Sequence, residues 1–469
     1  MQKKEHQKTE DPALGPKTPK QDGSPMAPPG LERTKFEMPA KRRMVGIGLV
    51  VLAIALLVAL YATYQAIFFT YMVYMIFILM LYVVLWLDHT DREEEEPTPE
   101  RWPDVSVIIP SYNSRSTIFK CIESCQAMHY PKKIEIIVVD DGSKDGSGEE
   151  LAKRKDIVFI EKEKNAGKAA ALNTGIGRAH GEIIACVDSD TYPAPDALRR
   201  CVGYFEKDPK VGSVVLFVNT TEPKNWLEKM QQIEYWISFG FFFRTLSAIG
   251  GLYVTPGPMA CYRKSVFDTL GGYDEKNLGE DMEIALRMQK NGWKIRIAPN
   301  AVAYTEVPSG WRALYKQRLR WQRSAILNVL DYSDMFFEKK YGCLGGFVLP
   351  YVLFNGLLAS LFIFWSIFNL VKVGWNMLSP WLVNFFAMVP SLASQEVNLY
   401  MLDSVSMLGF VSILIFGYFM MEGFRLAKRK PGLEHAAPVL GLVLVFPFFL
   451  GITFLSAYFS EFAGRRYKW

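Results

Sequence analysis

The chain has 469 residues, of which 50% are hydrophobic and 14% aromatic. This composition is too apolar for an ordinary soluble enzyme, so part of the chain is expected to lie in a lipid bilayer. The 53 basic residues are nearly balanced by 48 acidic ones, a balance that does not indicate a partner nucleic acid. The six cysteines contain no C-x-x-C pair and the five histidines form no spaced cluster, which argues for reduced thiols and against structural zinc.

The first part of the chain divides into a polar tail and two apolar segments. Residues 1–43 are rich in Pro, Lys, Gln and Gly and are predicted to form a disordered cytoplasmic tail. Residues 44–88 are predicted to form a transmembrane hairpin with spans over about 44–62 and 66–87. Each span is near the ~20 residues that cross a hydrocarbon core.

A region of alternating strands and helices follows an acidic, proline-bearing linker. Short β-branched runs such as VSVIIP and EIIACV alternate with helix-like stretches such as GKAAALNTGIGRAHG. This pattern is typical of an α/β domain with a mainly parallel sheet. We therefore predict a cytoplasmic α/β domain over residues 104–308, inserted between transmembrane helices.

The remainder of the chain returns to membrane composition. Residues 309–342 are predicted to form interfacial helices, because basic and aromatic side chains precede an apolar segment. Residues 343–469 are predicted to form a transmembrane bundle of about three helices, with spans over about 347–371, 405–424 and 437–459.

The distribution of basic residues orients these spans. The clusters Lys41–Arg43 and Arg425–Lys430 favour the cytoplasmic side. With five spans, Arg465, Arg466 and Lys468 would lie outside, which speaks against this orientation. The sequence nevertheless favours a multi-pass protein of the cell membrane with its α/β domain in the cytoplasm.

Three predicted strands end in polar residues. The ends are formed by residues 110–113, by Asp140 and Asp141, and by Asp188 and Asp190. In an open parallel sheet, ligands bind beyond the carboxyl ends of the strands. Two carboxylates two residues apart can approach one Mg²⁺ or Mn²⁺ ion, which also takes oxygens from a substrate diphosphate. The alternative for a single D-x-D is a solvated turn.

Two further motifs lie toward the membrane. Glu280 and Asp281 begin a predicted helix, where an acid can also serve merely as a favourable dipole partner. In QRLRWQRS, Gln317, Arg320 and Trp321 are three and four residues apart and therefore share one helix face. Such a face can bind a diphosphate and stack on a sugar ring. The alternative is a basic helix at the membrane interface, which has a similar sequence pattern.

In this order, the motifs resemble those of the family 2 glycosyltransferases, specifically the membrane-embedded processive synthases of hyaluronan, chitin, poly-N-acetylglucosamine and cellulose. The resemblance implies a Rossmann-like fold of the GT-A type. It also implies an inverting transfer from a UDP-sugar to the end of a growing polysaccharide, and passage of that polysaccharide across the membrane. The expected partners are therefore a nucleotide sugar, a polysaccharide or lipid acceptor, and membrane lipids.

The resemblance also implies roles for individual residues. Asp281, with Glu280 beside it, would be the catalytic base, and Asp188 and Asp190 would bind Mg²⁺ or Mn²⁺. The acceptor would contact Gly257, Pro258 and Trp321. The donor would contact Pro110, Ser111, Tyr112, Asn113, Asp140, Asp141, Lys168, Asp188, Gln317 and Arg320.

The sequence departs from parts of this family. The acid motif begins with Gly279 where poly-N-acetylglucosamine and cellulose synthases have T-E-D, and RWQRS ends in Ser324 where cellulose synthases have R-W-x-x-G. The first departure does not distinguish these synthases, whereas the end of RWQRS is closer to hyaluronan and chito-oligosaccharide synthases and favours a product that contains N-acetylglucosamine. A glycolipid synthase with a lipid acceptor is the open alternative, because ceramide glucosyltransferases share a similar terminal motif. A dehydrogenase is disfavoured, because the glycines of TGIGRAHG follow a helix-like stretch and not a strand.

Overall fold

The computed structural model describes residues 64–90, 96–383 and 404–464. The predicted tail over 1–43, the predicted span over 44–62 and the basic residues after 464 lie outside these ranges. Within them the structure contains an apolar helix, an α/β domain, a long amphipathic helix and further apolar helices, in that order.

A mixed sheet of eight strands forms the centre of the α/β domain. The spatial order is β3-β2-β1-β4-β7-β6-β8-β5. Strands β3, β2, β1 and β4 run parallel, and so do β6 and β8, whereas β7 is antiparallel to both of its neighbours and β5 is antiparallel to β8. The strands are β1 Val105–Ser111, β2 Glu135–Asp140, β3 Val158–Glu161, β4 Ile183–Val187, β5 Thr191–Pro193, β6 Val211–Thr220, β7 Met259–Arg263 and β8 Lys294–Thr305.

Helices cover both faces of this sheet. Ile108 of β1 packs into one buried cluster, while its neighbours Val107 and Ile109 pack into a second cluster on the opposite face. Because both faces are covered, the parallel strands are almost continuously apolar. The helices of the domain are α2 Ile118–Gln126, α3 Ser147–Leu151, α4 Lys168–Arg178, α5 Ala197–Lys207, α6 Trp226–Ile237, α7 Phe243–Ala248, α8 Lys264–Leu270 and α9 Glu280–Lys290.

The predicted α/β class is confirmed, but three of the eight strands, β5, β7 and β8, were not predicted. Strand β7 directly follows Gly257 and Pro258, which the resemblance assigns to the acceptor, and its antiparallel direction makes the sheet mixed. Strand β8 contains Pro299, and its register against β6 shifts between Leu216 and Phe217. Proline cannot donate to a strand ladder, so it masks the strand signal. The glycines of TGIGR lie inside α4, which excludes the strand-to-helix turn of a dinucleotide-binding site.

Apolar helices flank the domain. Before it lies α1 Tyr64–Thr90, and after it the amphipathic helix α10 Trp311–Asp331 is followed by the apolar helices α11 Leu349–Val383, α12 Ser404–Leu426, α13 Ala436–Leu444 and α14 Phe446–Phe462. Among the described residues, three segments are long and apolar enough to cross a membrane: Phe69–Asp88, Met407–Leu426 and Leu433–Phe462. The last contains a break at Val445, just before Pro447, so the predicted span over 437–459 is two helices and not one.

The α/β domain and the membrane helices share one apolar core. It is built on an aromatic segment formed by α6, a π-helical turn over Ser238–Phe242 and α7. The ring centroids of Phe241 and Phe419 are 4.5 Å apart, and those of Trp236 and Phe424 are 5.2 Å apart. Desolvated aromatic rings dominate the energetics of such contacts. The site described next is therefore attached to the membrane helices through a rigid hydrophobic contact.

Candidate active site

The D-x-D motif lies at the corner where the chain leaves β4 and enters β5. The backbone N–H of Thr191 donates to the carbonyl oxygen of Asp188 at 3.0 Å, and the N–H of Glu306 donates to that of Asp190 at 3.2 Å. The N–H of Asp188 donates to the carbonyl oxygen of Pro258 at 3.2 Å. One backbone hydrogen bond within the turn and two to other segments thus fix this corner.

Lys168, the first residue of α4, joins two of the predicted acidic motifs. Its Nζ atom lies 2.5 Å from Asp188 Oδ1 and 3.3 Å from Glu280 Oε1. Burial lowers the pKa of the ammonium, but the carboxylates of Asp188 and Glu280 outweigh burial and raise it. The lysine therefore stays charged and holds the end of β4 against the start of α9.

Asp281 is next to this ion-pair cluster. Burial and the neighbouring Glu280 raise the pKa of its carboxyl to about 6, while the cations of Lys168 and Arg320 oppose the shift. A carboxyl with this pKa can accept a proton near neutral pH. Arg320 of α10 is thus one of the charges that act on this carboxyl.

The loop before β7 fixes the backbone of Asp281. The Thr255 hydroxyl donates to the Asp281 carbonyl oxygen at 2.8 Å, and the Tyr262 hydroxyl donates to that of Thr255 at 2.9 Å. These two residues were missed in the sequence analysis, because no recognisable motif marks a threonine and a tyrosine seven positions apart. They connect β7, an unpredicted strand, to the predicted base.

Gly257 covers the cluster from the same loop. A Cβ atom at this position would lie 2.6 Å from Lys168 Nζ and 2.8 Å from Asp188 Oδ2, so any larger residue would displace the ends of these two side chains. The cavity beneath the loop is about 10 Å³ and is lined by Lys168, Leu172, Cys186, Asp188, Thr255, Pro256, Gly257, Ala260, Tyr262, Tyr273, Glu280 and Asp281. A sugar cannot occupy this volume unless the loop moves. The predicted acceptor role of Gly257 and Pro258 stays a prediction.

The carboxylates of Asp140 and Asp141 have partners within the protein. Asp140 accepts hydrogen bonds from the N–H and the hydroxyl of Ser143. Asp141 accepts from the N–H groups of Ala166 and Gly167 and pairs with Lys162 at 2.5 Å. Because Gly167 immediately precedes Lys168, Asp141 fixes the start of α4. Their predicted contact with the donor stays a prediction.

The end of β1 forms a second polar network. The N–H of Asn113 donates to Ser143 at 2.9 Å, and the Asn113 side chain accepts from the N–H of Lys144 at 2.8 Å. Pro110 and Ser111 are buried, whereas the Tyr112 ring is 47% exposed. The structure thus leaves Tyr112 accessible at this strand end, in keeping with its predicted role toward the donor.

Helix α10 carries the remaining predicted residues. Trp321 is 38% exposed, and its ring centroid lies 4.3 Å from the guanidinium carbon of Arg318. Within the described residues, the Gln317 Oε1 atom is buried without a hydrogen-bond partner. A buried hydrogen-bond acceptor without a partner is costly, so the Gln317 side-chain oxygen is available to accept a hydrogen bond.

Helices α9 and α10 interlock at Gly279. A Cβ atom on Gly279 would lie 1.6 Å from the Ser324 hydroxyl oxygen. The Asn328 amide donates to the Gly279 carbonyl oxygen at 3.2 Å, and Asn277 donates to Asn328 at 2.7 Å. Gly279 and Ser324, the two residues by which the sequence departs from the family, therefore contact each other. This contact sets the distance between Asp281, the predicted base, and α10.

Asp188 and Asp190 fit a divalent cation only in part. Burial and the charge of Asp188 raise the pKa of Asp190 to about 6, a repulsion that a cation would relieve. No group of three or more His, Cys, Asp or Glu side chains with suitable geometry occurs within residues 64–90, 96–383 and 404–464. The pair therefore suits an ion that takes its other ligands from substrate and water.

The mixed sheet and the acidic site at its edge define a glycosyltransferase of the GT-A type. Residues 106–271 match the family described as Glycosyl transferase family 2. The chain is 31% identical over 307 residues to "Probable glycosyltransferase YdaM" of Bacillus subtilis, which covers 61% of this chain and 72% of that protein. The chain belongs to glycosyltransferase family 2.

Two other similarities add to this assignment. A poly-beta-1,6-N-acetyl-D-glucosamine synthase of Staphylococcus epidermidis is 33% identical over 220 residues, 46% of this chain and 53% of that protein. The chain thus matches about half the length of that synthase. The mannosyltransferase PcManGT of Pyrobaculum calidifontis, solved with GDP-Man and Mn²⁺, superposes with a TM-score of 0.56 at 19% identity, covering 86% of this chain and 100% of that one. This likeness confirms the fold.

The pKa of Asp281 predicts an acid limit to activity. With Asp281 as the predicted base, its carboxylate form is the active one, so kcat/KM should be constant above a pH of about 6 and fall about tenfold per pH unit below it. Rates should be measured at a fixed, saturating concentration of Mg²⁺, so that titration of Asp190, whose pKa is also raised to about 6, contributes as little as possible. Asp281→Asn should lose transfer by about 10²-fold or more and keep donor binding. Equal loss of both would make Asp281 a structural residue.

The contact of Gly279 with Ser324 predicts a rescue. Gly279→Ala should separate α9 from α10, destabilise the fold by about 1–3 kcal/mol and reduce transfer. Ser324→Gly alone should cost only about 1 kcal/mol through helix propensity. The double variant should recover most of the activity that Gly279→Ala loses. Unfolding temperatures and transfer rates of all four proteins give the coupling energy, and additive losses would refute the steric contact.

Proposed function

We propose that the protein transfers a sugar with inversion from a UDP-sugar, N-acetylglucosamine being favoured, to the end of a growing polysaccharide. The observation that carries the proposal is the convergence of Lys168, Asp188, Glu280 and Asp281 around one cavity. Similarity to a poly-N-acetylglucosamine synthase supports the choice of sugar.

On the donor side, basic side chains would contact the diphosphate directly, and acidic side chains would contact it through a metal ion. Lys168 and Arg320 would neutralise the charge that develops on the departing nucleoside diphosphate. Asp188 and Asp190 would hold Mg²⁺ or Mn²⁺, which supplies further stabilisation of the leaving diphosphate when bound. The Lys168–Asp188 ion pair would then rearrange, because Lys168 would turn toward phosphate oxygens and Asp188 toward the cation.

On the acceptor side, Asp281 would act as general base. It would take the proton from an acceptor hydroxyl while that oxygen bonds to the anomeric carbon and the bond to the diphosphate breaks. A retaining mechanism would need another carboxylate as nucleophile. Glu280 is a poor candidate, because it is 4% exposed and faces Lys168.

The membrane helices support a polymer as the product. Helix α10 packs against both α11 and α14, so the proposed acceptor residue Trp321 belongs to a helix in contact with the membrane part. A growing chain that leaves the site there could pass across the membrane from a cytoplasmic catalytic domain. A membrane-lipid acceptor is the alternative that the product analysis below distinguishes.

The D-x-D corner predicts a metal requirement. Asp188→Asn and Asp190→Asn should each abolish transfer by the protein purified in detergent, while the unfolding temperature stays within a few degrees of wild type. UDP release from a panel of UDP-sugars, with and without Mg²⁺ or Mn²⁺, measures the effect. Full turnover in excess chelator would eliminate the metal role.

The position of Trp321 predicts the kind of product. Wild type should make a high-molecular-weight, glycosidase-sensitive product. Because stacking on an aromatic ring contributes about 0.5–1.5 kcal/mol, Trp321→Ala should shorten or abolish that product and retain UDP-sugar binding. Size-exclusion chromatography of radiolabelled product and a donor-binding assay test both parts. A chloroform-soluble product with a single sugar would instead support the glycolipid alternative.

A further inference from the structure

We propose that Glu234 and Arg318 are positioning residues that hold the Trp321 indole in the orientation needed to stack on the acceptor sugar. The inference rests on the acceptor role proposed above for Trp321. It adds two residues, one of them on a helix outside all the motifs found in the sequence.

The three side chains form a continuous contact across two helices. Arg318 Nη2 lies 2.6 Å from Glu234 Oε2 of α6. The guanidinium carbon of Arg318 lies 4.3 Å from the Trp321 ring centroid and 5.7 Å from that of Phe446 in α14. A planar guanidinium at this distance from an indole makes a favourable cation–π contact. Arg318 thus fixes the indole from within the protein.

Burial makes this arrangement stiff. The Arg318 side chain is 7% exposed and that of Glu234 is 18% exposed, whereas Trp321 is 38% exposed. A buried guanidinium cannot turn away into water, and it needs its carboxylate partner. The Trp321 ring therefore has a fixed support beneath it and an accessible surface on which a sugar can stack.

The charge of Glu234 depends on the same pairing. Burial raises the pKa of its carboxyl, and Arg318 opposes this rise. Removal of either charge leaves the other buried and unpaired, so the guanidinium plane is no longer set by α6. Within the described residues, the Arg318 Nε atom is buried without a hydrogen-bond acceptor. The hydrogen bond to Glu234 is therefore important for fixing the guanidinium group.

The same helix offers a matched control. Arg323 of α10 pairs with Glu461 of α14 at 2.5 Å, and both side chains are buried to a similar degree. This ion pair also fastens α10 to a neighbour, but the cation that lies over the Trp321 ring is Arg318. A merely structural role for buried ion pairs on α10 would make the two pairs equivalent.

The test compares Glu234→Gln, Arg318→Lys and Arg318→Met with Glu461→Gln in the full chain in detergent. Transfer from UDP-N-acetylglucosamine is measured against the concentration of a short N-acetylglucosamine oligosaccharide, and donor affinity is measured by UDP binding. Glu234→Gln and Arg318→Met should raise the acceptor concentration for half-maximal transfer by about tenfold with little change in UDP affinity. Arg318→Lys keeps the charge and should show a smaller increase.

A second readout does not depend on activity. With 5-fluorotryptophan in the chain, the ¹⁹F resonance of Trp321, assigned from Trp321→Phe, should move in Glu234→Gln and stay in place in Glu461→Gln. Parallel losses of donor and acceptor affinity, or equal shifts in both Gln variants, would overturn the inference. If wild type fails to use any oligosaccharide, the proposed function fails, and the resonance comparison still decides the positioning role.

Discussion

The site depends on the ion pairs that the Lys168 ammonium forms with two carboxylates. The ammonium joins the end of β4, through Asp188, to the start of α9, through Glu280. These segments lie far apart in the chain, and their acids would repel one another without the lysine. Asp141 fixes the start of α4 and so fixes the lysine. The charge balance of the site is therefore built into the sheet edge before any substrate binds.

Helix α10 connects this charge balance to the membrane. Its Ser324 contacts Gly279 at the start of α9, its Arg318 pairs with α6, and its Arg323 pairs with α14. One helix thus contacts the start of α9, the aromatic segment and the last described apolar helix. The distance between Asp281 and the residues of α10 therefore depends on how all three neighbours pack against α10.

Much of this arrangement could be predicted from the sequence, because apolar runs that end in acids mark the parallel strands directly. The runs before Asp140 and Asp188 gave strands at nearly the predicted bounds. Strand β7 could not be predicted, since its antiparallel pairing depends on neighbours distant in the chain. The same holds for Thr255 and for Glu234, whose partners Asp281 and Arg318 are brought close only by tertiary packing. Such tertiary contacts cannot be predicted from local sequence patterns.

The core shared by the α/β domain and the membrane helices has a consequence for biogenesis. Trp86 of α1 and Phe419 of α12 belong to the same buried cluster as strand residues of the sheet. A ribosome-bound chain that lacks α12 and α14 would expose this aromatic surface to water and leave Arg323 without Glu461. The α/β domain can therefore complete this core only when the later helices are present, and a chain that stops before α12 is expected to be aggregation-prone.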